Sequence, residues 1–108
     1  MNEVRTMKTL QETIASGQPL LLYFSGQRCT VCHALKPKLE EAIARHFPSL
    51  QALEVDAEKQ LDIAGQFLVF TVPTTLVFAD GREYFRFGRN MSLPDFVHQL
   101  NRLFSQQG

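Results

Sequence analysis

The chain has no run of basic residues, no long apolar stretch and only two cysteines. Eleven Lys and Arg balance eleven Asp and Glu, so the formal net charge is zero. Nucleic-acid binding rests on an excess of cations, so nothing here suggests a polyanion partner. The longest apolar run, Leu20 to Phe24, falls far short of the roughly 20 residues that span a bilayer, so no membrane association is expected. The polar start Met-Asn-Glu-Val-Arg-Thr-Met-Lys lacks the apolar core of a signal peptide, so the expected address is cytoplasmic. There a permanent structural disulfide is uncommon. A bridge between cysteines two residues apart also closes too small a loop to constrain the unfolded chain much. Redox chemistry or metal binding remain to explain the pair.

What is present is a chain of 108 residues with a 44% apolar share, enough for one globular domain with its own core, expected to span residues 1–108. Met7, Leu10 and Ile14 recur at helical spacing within Thr6 to Ser16, before Gly17 and Pro19. Leu20-Leu21-Leu22-Tyr23-Phe24 reads as a strand buried on both faces. Val31, Leu35, Leu39, Ile43 and Phe47 then recur every four residues, a long helix from about Thr30 with one face inward. Pro37 should kink it without ending it. Leu53 and Val55 alternate with polar neighbours as a second strand, and Gln60 to Phe67 predicts a short helix with Leu61, Ala64 and Phe67 inward. Thr74 to Phe78 is a third strand, joined by an Asp80-Gly81 hairpin to a fourth over Glu83 to Phe87. Ser92-Leu93-Pro94-Asp95 opens a last helix with an apolar stripe reaching Phe104. The expected fold class is α/β. Helical crossovers between the first strands and the Asp-Gly turn predict a mixed four-stranded sheet with helices on both faces.

The informative segment is Ser25-Gly26-Gln27-Arg28-Cys29-Thr30-Val31-Cys32-His33. A buried strand delivers Cys29 to a helix start, with Cys32 one turn on. Residues three apart on a helix have Cβ atoms ~5–6 Å apart, close to disulfide geometry. Free N–H groups at the helix start favour a thiolate, the form that attacks disulfides. Arg28 and His33 flank the pair and are candidates for tuning its acidity. The context, strand before and helix after, makes a redox dithiol the reading to prefer over two small core residues. Cys29 to His33 also matches the C-x-x-C-H haem pattern, but attachment requires export, and Met91, His46 and His98 are unplaced as axial ligands. A closed zinc site needs four ligands, and Cys29, Cys32 and His33 give three at most, so no metal is expected. His46 is expected near the last carbonyls of its helix and His98 in solvent. Phe67, Phe70 and Phe85 are the aromatics expected to border the site.

From Leu20 through Phe104 the chain resembles thioredoxin. The features that match, in order, are the apolar strand, Cys29-x-x-Cys32, Pro37 in the following helix, and Thr71-Val72-Pro73-Thr74 about 40 residues on. Gly88 falls where the family often has glycine. The resemblance implies the thioredoxin fold, with Cys29 attacking and Cys32 resolving. It implies a cis Val72–Pro73 bond facing the sulfurs, so that Val72, Pro73 and Gly88 receive substrate. It also implies a thiol–disulfide oxidoreductase acting on protein disulfides without a bound cofactor, re-reduced by a thiol or by a flavin-dependent reductase. The chain departs from the family at Arg28 and Ser25, where thioredoxins usually have Trp. It departs at Thr30-Val31, usually Gly-Pro, at Tyr23, usually a buried Asp, and at Ala52, usually the Lys paired with that Asp. These departures open an alternative: a binding module that docks partners around Pro73 and uses the dithiol as a redox sensor.

Overall fold

The structure is a computed structural model and describes residues 1–107. Its strands are β1 (Asn2–Glu3), β2 (Leu20–Ser25), β3 (Gln51–Asp56), β4 (Thr74–Ala79) and β5 (Arg82–Phe87). Its helices are α1 (Met7–Ala15), α2 (Thr30–His46), α3 (Leu61–Gln66) and α4 (Leu93–Gln107). The sheet runs in the order β1-β3-β2-β4-β5. The first three are mutually parallel, and β4 is antiparallel to both β2 and β5.

Each strand of the centre is buried because it is covered twice. Successive side chains on a strand point to opposite faces, and β2 divides its residues accordingly. Leu21 and Tyr23 join Leu39, Ile43, Phe96 and Leu100 of α2 and α4. Leu20, Leu22 and Phe24 join Leu10 of α1 and Ile63 of α3. Every residue of β2 and β4 is buried. The expectation of helices on both faces is met.

Local chemistry sets the element ends. Thr6 caps α1 by accepting the N–H of Thr9 at 3.1 Å. Ser92 does the same for the amide of Asp95 at the start of α4. Asp80 and Gly81 both lie in the left-handed region, φ 57° and 81°, as a two-residue hairpin turn with the twist of its strands demands. α2 runs unbroken through Pro37.

Several expectations are corrected. The sheet has five strands, not four. Asn2 and Glu3 pair in parallel with Leu53 and Glu54, extended by a 2.9 Å bond from Val4 N–H to the Glu54 carbonyl. Two polar residues carry no alternation, so only the open edge of β3 makes them a strand. Leu61 is 72% exposed while Ile63 and Ala64 are buried, because a helix of six residues is too short for a stripe to fix its orientation. Val31 stands 40% exposed, and Cys32 takes the inward position of that first turn.

Candidate functional site

The site begins where β2 ends. Gly26 to Arg28 turn the chain, and the Cys29 amide closes the turn on the Gly26 carbonyl at 3.2 Å. Cys29 is the N-cap of α2, in extended conformation, and its sulfur accepts the Cys32 N–H at 3.1 Å. Cys29 and Cys32 are joined as a disulfide with Cα atoms 5.2 Å apart. The two sulfurs' residues differ in access: Cys29 is partly exposed and Cys32 is 1% exposed. A helix N-terminus thus presents its free amides and positive dipole end to the accessible sulfur.

His33 reaches back across the turn, and its Nε2 donates to the Gln27 carbonyl at 2.8 Å. Arg28 is exposed beside Cys29. From the other side comes the segment before β4. The Val72–Pro73 bond is cis, Pro73 is buried, and Val72 packs against the cluster holding both cysteines. The Val72 carbonyl accepts from Arg89 at 3.3 Å. Gly88 is exposed, and a Cβ placed on it would meet nothing within 4 Å, so no contact within the fold requires glycine there. The structure therefore brings Arg28, Cys29, Cys32, His33, Val72 and Pro73 to one end of the sheet.

The remaining candidates are distributed over both faces of the sheet and its surface. Phe67 packs on Phe24 and Phe78 in the cluster under α1 and α3. Phe85 lies by Phe87 against the opposite cluster, while Phe70 is 83% exposed. His46 ends α2 beside Phe47, His98 is exposed on α4, and Met91 packs against the α2/α4 cluster.

Beneath the dithiol stands Tyr23, already marked in the sequence as replacing the family's buried Asp, with partners that the sequence did not disclose. Tyr23 is fully buried, and its hydroxyl donates to the Cys32 carbonyl at 2.6 Å. Burial, with the nearby Glu54 carboxylate, pushes its phenol up to about 12. Glu54 is Tyr23's register partner on β3 and so shares its face. Its carboxylate accepts from Ser25 Oγ and from Lys36 Nζ, each at 2.6 Å. Burial works to raise the Glu54 carboxyl, but those two bonds and the Lys36 charge outweigh it and hold it below the usual range. The signal was present in one respect: Lys36 lies four residues after Cys32, on the same face of α2.

The comparisons agree with this arrangement. The thioredoxin family's sequence model matches residues 2–102. The thioredoxin-like protein YdfQ of Bacillus subtilis is 31% identical over 104 residues, covering 96% of this chain and 92% of that protein. The thioredoxin of Chlamydia trachomatis is 35% identical over 83 residues, covering 77% and 79%. The solved structure of Fasciola hepatica thioredoxin superposes with a TM-score of 0.80 at 27% identity, covering 94% of this chain and 98% of that one. With a disulfide at a helix start, a cis-proline segment beside it and a match across nearly its whole length, the chain belongs to the thioredoxin family.

Proposed function

We propose that the protein reduces or exchanges protein disulfides, with Cys29 as nucleophile and Cys32 as resolving thiol. The observation that carries this reading is the asymmetry of the pair: a partly exposed Cys29 at the N-cap of α2 and a buried Cys32 one turn inside it. In the reduced protein the Cys29 thiolate attacks one sulfur of a substrate disulfide. A mixed disulfide forms and the other substrate sulfur leaves as a thiolate, which takes up a proton. Cys32 then gives up its proton and attacks the Cys29 sulfur, forming Cys29–Cys32 and releasing the second substrate thiol. Two electrons pass to the substrate. An external dithiol, or a flavin-dependent reductase, returns them in a cytoplasmic setting.

The helix start and the Cys32 N–H favour the Cys29 thiolate. Arg28 and His33 add positive potential, while Val72, Pro73 and Gly88 receive the substrate chain. A second reading, a redox sensor that docks partners around Pro73 without turning over, draws on one observation. Tyr23, a phenol that stays protonated, donates to the Cys32 carbonyl and supplies no basic group there to take up the thiol's proton. Turnover in insulin reduction, driven by dithiothreitol or by a thioredoxin reductase, distinguishes the two. Multiple turnovers per protein support the oxidoreductase; a single stoichiometric exchange supports the sensor.

A further inference from the structure

Phe70 is a large aromatic left 83% in water, two residues before the Val72–Pro73 bond. Single exposed apolar residues are common on surfaces. What distinguishes this one is how firmly its backbone is held. The carbonyls of Phe67 and Leu68 accept from Arg86 at 2.8 and 3.2 Å. That of Thr71 accepts from Thr74 Oγ1 at 2.7 Å, and that of Val72 from Arg89 at 3.3 Å. Side chains thus tie down the backbone on both sides of Phe70, and the aromatic is presented on a fixed support. Between the cysteines, Val31 stands 40% exposed, out of line with the inward residues of its helix.

Two cations adjoin these segments in the chain: Arg28 just before Cys29 and Arg89, bonded to the Val72 carbonyl. Arg28 and Arg89 are exposed, and among the described residues neither is held in an ion pair. Arg89 uses one guanidinium nitrogen on the Val72 carbonyl, which leaves other donors of its five for a ligand. Glu83 is taken up by Arg86. On the β3 side Asp56, the register partner of Ser25, and Glu58, whose carboxylate lies close over Gly26, are the acids, with Lys59 next to them.

We infer that the face formed by Phe70, Val31, Arg28 and Arg89 selects polypeptide disulfides whose reacting cysteine is flanked, within two or three residues, by a large apolar side chain and a carboxylate. The apolar side chain covers Phe70 and Val31, and the carboxylate meets the guanidinium groups. This inference rests on the oxidoreductase reading and names its substrate class. A rigid, exposed aromatic gives contact area at little ordering cost. Rim cations act mainly on the encounter rate and so weaken as salt rises.

The test is reduction of four peptide disulfides that differ only beside the cysteine, pairing Leu or Ser with Glu or Lys. The uncharged bis(2-hydroxyethyl) disulfide serves as the reference substrate. The wild type should prefer Leu over Ser by about tenfold in kcat/KM, the factor that 1.4 kcal/mol supplies. It should prefer Glu over Lys by a similar factor at low salt, shrinking several-fold at 0.5 M salt. In Phe70→Ala the Leu/Ser ratio should fall toward one with the Glu/Lys ratio kept. In the Arg28→Ala, Arg89→Ala double variant the reverse should hold. Because each readout is a ratio within one protein, a general loss of thiol reactivity cancels. A wild type that reduces the reference and all four peptides alike overturns the docking inference alone. One that reduces nothing overturns the oxidoreductase reading and the inference with it.

Discussion

The hydroxyl of Tyr23 and the carbonyl of Cys32 form a 2.6 Å hydrogen bond inside the core, so the buried cysteine is held at both of its backbone polar atoms. Its N–H goes to the Cys29 sulfur and its C=O to the phenol of the central strand. With its phenol pushed up to about 12, Tyr23 remains a donor throughout the physiological range.

Tyr23→Phe keeps the ring and removes only that donor. The expected cost is about 1 kcal/mol, the net worth of one such bond, read as a lower urea midpoint with an unchanged slope. An unchanged midpoint would mean that water or repacking replaces the hydroxyl.

Glu54 links acid stability to the same region. Burial pushes its carboxyl up, yet the bonds from Lys36 and Ser25 leave it below the usual range. A depressed carboxyl stabilises the fold fully above its unfolded value and loses that contribution as the pH falls through the folded one. Wild-type stability should therefore drop more steeply below about pH 4 than that of Glu54→Gln. Lys36 is shifted upward, chiefly by its bond to Glu54, so its contribution persists at neutral pH and fades only as the pH rises through its raised value. Lys36→Met should cost roughly 1 kcal/mol at pH 7 after allowance for solvent screening. Parallel acid curves for wild type and Glu54→Gln would dismiss the linkage.

The cysteines should separate by function. Cys32→Ser should accumulate a covalent adduct with a disulfide substrate, because attack proceeds and resolution does not. Cys29→Ser should form no adduct and lose exchange activity. Mass spectrometry of each variant after exposure to oxidised substrate reads both outcomes. Faster alkylation of Cys32 than of Cys29 in the reduced wild type would reverse the assigned roles.

Leu68 occupies a position that glycine fills at many helix ends. Its φ is 56°, its N–H donates to the Gly65 carbonyl at 3.1 Å, and the next amide, that of Val69, donates to Ala64 at 2.8 Å. A side chain in this left-handed conformation costs energy, and Leu68 recovers little by burial at 66% exposure. Leu68→Gly should stabilise the fold by about 0.5–1 kcal/mol, visible as a higher Tm. A lower Tm would show that the buried third of the side chain matters more.

Much of this architecture could be read from the chain because its signals are local. The unbroken apolar run Leu20 to Phe24 marked β2, the four-residue spacing from Leu35 to Phe47 marked α2, and Asp80-Gly81 marked the hairpin. The dithiol was legible for the same reason, since strand, turn and helix start adjoin one another in sequence. What escaped had no local signature. Asn2–Glu3 is a strand only because β3 has a free edge. Leu61 and Val31 face solvent although their spacing fits a buried stripe.

The sequence by itself determined the order of elements, the helix start that carries Cys29, and the separation that lets Cys32 meet it, because each depends on residues a few positions apart. Only the tertiary structure decided which of the two sulfurs' residues is covered, and that Glu54 joins Lys36 and Ser25 beneath them. It alone also set the carbonyls around Phe70 under the arginines of β5 and of the turn that follows it. Those contacts span from 17 to 29 residues of chain. They arise when strands pair and helices settle on the sheet, and no spacing rule within one segment encodes them.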